Sequence, residues 1–226
     1  MTPDQGNIKS KRITWISLLI FLLLLFTIFI FWLIATEVVV EHENSFDLYA
    51  FRLMDGLTSL STTKVMLGIT FFGSTAFLLP AYIVLTAWFL FRRKNRTYSL
   101  QVAVIGLTST IGLFILKSIF HRSRPADELI PNVEGFSFPS GHSFSSFTFF
   151  GLVTYLIWKT SIPNSMKYTY SVGLFLFCCM IAISRVYLHV HYASDVIAGF
   201  CLSIIWLIIS LWLLNKIKMQ SLLPSH

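Results

Sequence analysis

Six long apolar stretches constrain this chain more than any other feature of its sequence. A helix needs about 20 apolar residues to cross the roughly 30 Å of hydrocarbon in a bilayer. The fourth stretch is short for a full crossing, and the other five are close to this length or exceed it. The stretches cover residues 13–35, 65–91, 100–120, 144–158, 168–188 and 196–214.

The composition supports a membrane location. Hydrophobic residues make up 55% of the chain and charged residues only 12%, whereas soluble domains carry about 25% charged residues. We therefore predict an all-α integral membrane protein, with one domain over residues 1–226 built as a bundle of six transmembrane helices. Cys178, Cys179 and Cys201 all lie in apolar stretches and indicate neither a disulfide framework nor a zinc site.

Lysine and arginine residues collect in alternate loops. Such residues are enriched in short cytoplasmic loops, so six spans would place the N- and C-termini in the cytoplasm and the acidic first loop outside. The net charge of +7 then follows from membrane orientation and indicates no nucleic-acid partner. The basic residues are Lys9, Lys11, Arg12, Arg92, Arg93, Lys94, Arg96, Lys159, Lys167, Lys216 and Lys218, and the acidic ones are Glu37, Glu41, Glu43 and Asp47.

The first outer loop carries an amphipathic segment that begins at Ser45. Apolar residues recur there at helical spacing, with charged residues between them. This pattern predicts a short helix on the outer membrane interface, and an ordinary loop is the alternative. The apolar residues are Phe46, Tyr49, Leu53 and Leu57, and the charged ones are Asp47, Arg52 and Asp55.

A cluster of positive charge closes the third span. It contains Lys117, His121, Arg122 and Arg124, and Pro125 follows. If the helix continued through Arg124, Lys117 and Arg124 would share one face about 10 Å apart along the axis. Both side chains could then reach one anion. The alternative is that they extend to the lipid headgroups.

The start of the fourth span reads Phe138-Pro139-Ser140-Gly141-His142-Ser143. A helix that begins here presents free backbone N–H groups at the outer face, which can bind an anion. Gly141 would let a ligand approach the backbone closely. The alternatives are that Ser140 or Ser143 caps the helix and that His142 is an ordinary hydrogen-bonded residue.

The third cluster joins the fifth and sixth spans. Ser184 and Arg185 precede His189, His191 and Asp195. The last two are four residues apart, so one helical turn would put them on the same face. A carboxylate beside an imidazole fixes its tautomer, which leaves the other ring nitrogen free to act as a nucleophile. A structural ion pair is the alternative.

If the six spans alternate in direction, all three clusters lie at the outer face. Together they offer three cations, a helix N-terminus, two histidines and one carboxylate. Phosphoryl transfer requires mainly positioning and positive groups around the phosphate oxygens. The combination therefore indicates a phosphate site with a nucleophile and an acid.

These clusters resemble the three motifs of the type 2 phosphatidic acid phosphatase superfamily. The similarity is greatest to its bacterial membrane branch, whose members resemble phosphatidylglycerophosphate phosphatase B. All three motifs match in order and spacing. The first motif is Lys, six residues and Arg-Pro, and it corresponds to Lys117 and Arg124-Pro125. The second is Pro-Ser-Gly-His, which corresponds to residues Pro139 to His142. The third is Ser-Arg, five residues, His, three residues and Asp, and it corresponds to Ser184-Arg185, His191 and Asp195.

The resemblance implies a role for each matching residue. His191 would attack phosphorus and form a phosphohistidine, with Asp195 orienting it. His142 would protonate the leaving alkoxide and then help to activate water. No cofactor and no metal ion are implied, although Asp127, Glu128 and Glu134 lie in the same outer loop and are a possible divalent site. The groups that would hold the phosphate are Lys117, Arg124, Ser140, Gly141 and Arg185.

Two positions depart from the family pattern. Members often have Gly two residues before the nucleophile and Pro two residues after it, where this chain has His189 and Ala193. Three roles are open to His189: contact with the lipid headgroup, tuning of the pH response, or that of a solvated loop residue. We favour the last. Neither position carries a catalytic group.

The expected function is an outward-facing lipid phosphate phosphatase in a bacterial plasma membrane. Its substrate would be phosphatidylglycerophosphate or phosphatidic acid, and undecaprenyl pyrophosphate is the alternative. A transporter is disfavoured, because transporters place charges near the midplane between two related halves. A vanadate-dependent haloperoxidase would share the motifs, but its known members look soluble. The sequence leaves the oligomeric state open.

Overall fold

The structure, a computed structural model, describes residues 3–40, 45–130 and 133–220. The side chains of residues 3–14, 39, 40 and 218–220 are not described. Lys9, Lys11, Arg12 and Lys218 therefore lie outside the described side chains, and Glu41 and Glu43 lie outside the described residues.

Every regular element in the described ranges is helical, as the apolar stretches predict. The first helix and the fourth each continue into a π-helical turn, Thr36–Val40 and Trp88–Arg92. The helices are α1 (Pro3–Ala35), α2 (Ser45–Asp55), α3 (Leu60–Phe71), α4 (Thr75–Ala87), α5 (Arg96–Phe120), α6 (Gly141–Trp158), α7 (Asn164–Tyr187) and α8 (Ala193–Gln220).

Five helical segments of the described chain are long and apolar enough to cross a membrane. The second of them, Leu60–Arg92, combines α3 and α4, and Pro80 lies inside α4. The helix α6, with 18 residues, is not among the five, so the prediction of six spans remains a prediction. The membrane class itself follows from the other five.

The helix α6 differs from its neighbours because it lies inside the bundle. It packs against both α7 and α8, and Ser143, Ser146 and Thr148 are fully buried on it. A helix surrounded by protein can bury hydroxyl groups that would be costly against lipid, provided that they are hydrogen-bonded. The buried hydroxyl groups of α6 are therefore consistent with its central position.

A close approach between α8 and the start of α6 determines where the two helices meet. A Cβ at Gly199 would lie 2.8 Å from the backbone oxygen of Ser140 and 3.1 Å from the backbone nitrogen of Phe144. Only glycine tolerates that contact without a shift of backbone. Gly199 lies one turn after Asp195, so the same contact brings the start of α8 beside the start of α6.

The amphipathic segment after the first span is a helix, α2, as predicted. Its apolar residues Phe46, Tyr49, Leu53 and Leu57 are all more than half exposed, whereas Asp47 is 1% exposed. The charged residues Arg52 and Asp55 are exposed, and Asp47 is buried against the protein. The position of α2 relative to a membrane remains a prediction.

The third span ends earlier than the cluster of positive charge. The helix α5 stops at Phe120, and His121 adopts a left-handed conformation with φ of 49°. A continuous helix from Lys117 through Arg124 is therefore wrong. The chain leaves the helix axis at His121, and the following loop carries Arg124 to the site.

Candidate functional site

The predicted site residues meet at the N-terminus of α6. The backbone N–H of Ser140 donates to the carbonyl of Asp195 at 3.0 Å. A Cβ at Gly141 would lie 3.7 Å from Cε of Lys117. His142 lies within electrostatic range of Arg185, His191, Arg124 and Lys117. All eight residues predicted from the three clusters are thus brought together.

A tight turn after α7 presents His191. The carbonyl of Arg185 accepts the backbone N–H groups of Val190 at 3.2 Å and of His191 at 3.3 Å. His189 occupies the left-handed region with φ of 53°, which explains why glycine is common there in the similar family. The turn returns the chain toward the bundle and buries His191, which is 2% exposed.

His191 and Asp195 form the predicted pair. Nδ1 of His191 lies 3.4 Å from Oδ2 of Asp195, whose carboxylate is 0% exposed. The same oxygen accepts the backbone N–H of Tyr192 at 3.0 Å and the hydroxyl of Ser137. A buried carboxylate needs such donors to remain ionised.

The environment of His191 keeps its imidazole neutral. Burial lowers its pKa to about 4, an effect partly offset by the hydrogen bond to Asp195, which raises the pKa. At neutral pH the ring is uncharged, and we assign its proton to Nδ1 because Asp195 can only accept there. Nε2 then carries the free lone pair that a nucleophile requires.

The start of α6 has the geometry of an anion site. Ser140 is the N-cap, and its Oγ accepts the backbone N–H of Ser143 at 3.5 Å and the hydroxyl of Ser143 at 3.2 Å. The capping alternative for Ser140 is thus correct, and it leaves the Ser140 hydroxyl proton available to a ligand. Free N–H groups of the first turn add to the attraction for an anion.

Lys117 and Arg124 bind backbone carbonyls of the loop before α6. Nζ of Lys117 donates to the carbonyl of Phe136. The guanidinium of Arg124 donates to the carbonyls of Gly135 at 2.9 Å, Glu134 at 3.1 Å and Val190 at 2.8 Å. Both side chains therefore turn toward the protein, and the alternative that they extend to headgroups is wrong.

Arg185 is the most enclosed of the three predicted cations. It is 4% exposed, and its Nη1 donates to Oγ1 of Thr70 on α3 at 2.8 Å. Nε is buried and has no hydrogen-bond partner among the described residues. None of Lys117, Arg124 and Arg185 makes an ion pair with a described carboxylate; Asp195 and Glu128 act on them only from a longer distance.

His189 is not a solvated loop residue, and that interpretation is wrong. It is 9% exposed, and its ring stacks on Phe51 of α2 with centroids 4.5 Å apart. Nε2 lies 3.2 Å from Oδ1 of Asp55, also on α2. His189 therefore attaches the turn that carries His191 to α2.

Four residues that contact the site were not among the predicted site residues. Ser137 contacts both His191 and Asp195, and Thr70 holds Arg185. Arg122 and Asp47 form buried ion pairs behind Asp195. Arg122 had been recognised only as part of a basic cluster. Nothing in local spacing distinguishes these residues, because each acts through contacts that are distant in sequence.

The possible divalent site at Asp127, Glu128 and Glu134 does not form a cluster. No group of three or more His, Cys, Asp or Glu residues in the described chain is arranged to hold a metal ion.

The sequence and the fold are both similar to known proteins. The family model of the PAP2 superfamily matches residues 97–219. Phosphatidylglycerophosphatase B of Bacillus subtilis is 33% identical over 144 residues, which cover 63% of this chain and 70% of the relative. Undecaprenyl-diphosphatase of Sulfolobus acidocaldarius is 25% identical over 195 residues, covering 85% and 86%.

A solved structure has the same architecture. The crystal structure of a transmembrane PAP2-type phosphatidylglycerolphosphate phosphatase from Bacillus subtilis superposes with a TM-score of 0.79 at 26% identity. The superposition covers 86% of this chain and 97% of that one.

We predict that His191 titrates far below an ordinary histidine. NMR of histidine-labelled protein in detergent, assigned with His191→Gln, should give a midpoint near 4, because burial disfavours the charged ring. Asp195→Asn should lower the midpoint further, since the carboxylate raises it. A midpoint near 6.5 in the parent would contradict the assigned environment.

Proposed function

Because the chain belongs to the PAP2 superfamily, we propose that it is a lipid phosphate phosphatase that works through a phosphohistidine intermediate. The observation that carries this proposal is a set of three cations, Lys117, Arg124 and Arg185, none of which forms an ion pair with a carboxylate among the described residues. They lie around a helix N-terminus beside a neutral His191. A phosphate group supplies the negative charge that this arrangement lacks.

In the first step Nε2 of His191 attacks phosphorus. The N–P bond forms as the P–O bond to the lipid breaks, and His142, which holds a proton once the phosphate dianion lies beside it, transfers that proton to the departing alkoxide. The imidazole ring becomes cationic, and Asp195 stabilises it through Nδ1–H. Such a carboxylate acts by orientation and charge and does not itself take up the proton.

In the second step water replaces the histidine. His142, now neutral, accepts a proton from water as the water oxygen attacks phosphorus. The N–P bond breaks, inorganic phosphate leaves, and both histidines return to their initial states. One group serves as acid and then as base, which requires it to lie on the leaving-group side of the phosphate.

The phosphate oxygens would bind Lys117, Arg124, Arg185, the Ser140 hydroxyl and the backbone N–H groups of Gly141 and His142. The buried Nε of Arg185 lacks a partner among the described residues, and an anion oxygen would satisfy it. These cations can stabilise the charge that gathers on the equatorial oxygens, so we propose a reaction without a metal ion.

The substrate proposed first is a phosphomonoester lipid, phosphatidylglycerophosphate or phosphatidic acid. The relative with 33% identity, named phosphatidylglycerophosphatase B, favours it. Undecaprenyl pyrophosphate is the second candidate, since the Sulfolobus relative named undecaprenyl-diphosphatase matches 85% of the chain. The phosphate-binding groups suit either, because both present a terminal phosphate.

We further propose six spans, with both termini in the cytoplasm and the site at the outer face of a bacterial plasma membrane. Basic residues flank the cytoplasmic ends in this arrangement, and α6 crosses as the central helix. The exposed apolar side of α2 would rest on the outer membrane interface, and the phosphate of a lipid in the outer leaflet would reach the site at that interface.

The topology is testable at two exposed positions on either side of α6. Asp127→Cys precedes the helix and Ser161→Cys follows it. On intact cells a membrane-impermeant maleimide should label Asp127→Cys but not Ser161→Cys, and both should react after permeabilisation. The parent, whose cysteines are buried or half-buried, serves as background. Equal labelling on intact cells would mean that α6 does not cross.

Phosphate release from lipids tests the function directly. The detergent-purified protein with EDTA present should release phosphate from at least one of phosphatidylglycerophosphate, phosphatidic acid and undecaprenyl pyrophosphate. His191→Ala should abolish release because the nucleophile is lost, and the variant should still fold, as shown by a cooperative thermal unfolding transition. Substantial phosphate release by His191→Ala would contradict the phosphohistidine step. If the parent released phosphate only without EDTA, the reaction would depend on a metal ion. No release from any lipid would favour a binding or transport role.

If His142 is the acid of the first step and the base of the second, a substrate that needs no acid should reveal the two steps separately in a His142 variant. His142→Ala should slow lipid turnover by about 10²–10⁴-fold. With an aryl phosphate, whose leaving group needs no proton, the variant should show a burst of about one equivalent of phenol, followed by slow release. The burst appears because only the second step then requires the missing base. An aryl phosphate rate reduced without a burst would contradict this role.

A further inference from the structure

Asp47 lies outside the three motifs, yet its side chain is buried against them. Oδ1 accepts the backbone N–H of Ser194 at 2.8 Å, and Oδ2 accepts the Ser194 hydroxyl at 2.7 Å. Ser194 is in the first turn of α8 and directly precedes Asp195. Asp47 therefore connects α2 to the helix end that carries the catalytic carboxylate.

Arg122 joins Asp47 to Asp195. Nη2 lies 2.8 Å from Oδ2 of Asp47, and Nη1 lies 2.6 Å from Oδ1 of Asp195. The guanidinium also covers the ring of Tyr192, with Cζ 3.8 Å from the centroid. One planar cation is thus held between two carboxylates and an aromatic face, which allows little change of orientation.

This arrangement determines what the two oxygens of Asp195 do. Oδ1 is occupied by Arg122, while Oδ2 accepts from Tyr192 and Ser137 and faces Nδ1 of His191. Rotation of the carboxylate would break the contact with Arg122. Arg122 is in turn held by Asp47, so the orientation of the carboxylate depends on a residue of α2.

We propose that Asp47 and Arg122 are positioning residues for the reaction, acting through Asp195 on His191. The inference rests on the proposed phosphatase function. When His191 attacks phosphorus its ring becomes cationic, and Oδ2 of Asp195 must face Nδ1 at that moment. Arg122 also draws charge from Oδ1, so Asp195 stabilises the cationic ring without removing its proton.

A purely structural role makes different predictions. If Asp47 only attached α2 to the bundle, its loss would lower stability and would disturb substrate binding and turnover together. A positioning role leaves the phosphate-binding groups untouched. The loss then falls on kcat while KM stays constant, which is the sign of an interaction made in the transition state.

The experiment measures kcat and KM for phosphate release with Asp47→Asn, which keeps the shape of the side chain and removes its charge. We expect kcat to fall about 10–100-fold, the range for residues that support a catalytic group from behind, with KM within about twofold of the parent. Arg52→Gln, on the same helix but exposed, is the matched control and should behave as the parent. Thermal unfolding in detergent is recorded for each variant.

A double-variant cycle tests whether Asp47 affects kcat through Asp195. If Asp47 acts through Asp195, adding Asp47→Asn to Asp195→Asn should change kcat by less than about twofold, because coupled residues are not additive. Additive losses, or equal changes in kcat and KM, would overturn the inference. So would a kcat for Asp47→Asn equal to that of the parent.

Two further measurements keep the outcomes separate. If Asp47→Asn does not fold, Ser194→Ala decides, since it removes only the hydroxyl that contacts Asp47 and Arg122. It should lower kcat several-fold at constant KM, and a parent-like kcat would overturn the inference. A parent that releases no phosphate, or an active His191→Ala, would instead refute the proposed function and the inference with it.

Discussion

The buried carboxylate of Asp195 is the group on which the rest of this site depends. It is 0% exposed and lies at the first turn of α8, where an uncompensated charge would be very costly. Its donors come from the loop between α5 and α6, which carries Arg122 and Ser137, and from the turn after α7, and Arg122 is in turn held by Asp47 of α2. Satisfying one carboxylate therefore fixes the relative positions of these segments. Removing one partner from a buried ion pair costs about 3–5 kcal/mol, so the arrangement is strongly held.

An apolar bundle can carry such a polar site because α6 lies in its centre. Hydroxyl groups on α6 are buried against protein, and the N-terminus of the helix points free N–H groups at the candidate site. The contact at Gly199 brings α8 close enough for Ser140 to bond the carbonyl of Asp195. Charged groups that would be unstable in lipid are thus gathered where three helix ends and one loop enclose them.

Much of this could be read from local sequence. The apolar stretches correspond to α1, α3 with α4, α5, α6, α7 and α8, and the residues of the three motifs meet as the motif spacing indicated. The errors arose where the chain leaves a helix. The left-handed residue at His121 ends α5 before Arg124, and the left-handed residue at His189 turns its side chain onto Phe51 and Asp55. Periodicity assumes that a helix continues, and it carries no information on the direction of the chain after such a residue.

The sequence alone determined the membrane class, the helical fold and the residues that meet at the candidate site, because hydrophobic length and short motifs act over a few turns of helix. Only the tertiary structure decided which charges are paired and which are not. Asp47 and Arg122 are 75 residues apart, and Asp47 has the appearance of a solvated residue on an amphipathic helix. Its burial follows from the docking of α2 on the ends of α7 and α8, and such long-range packing leaves no local pattern in the chain.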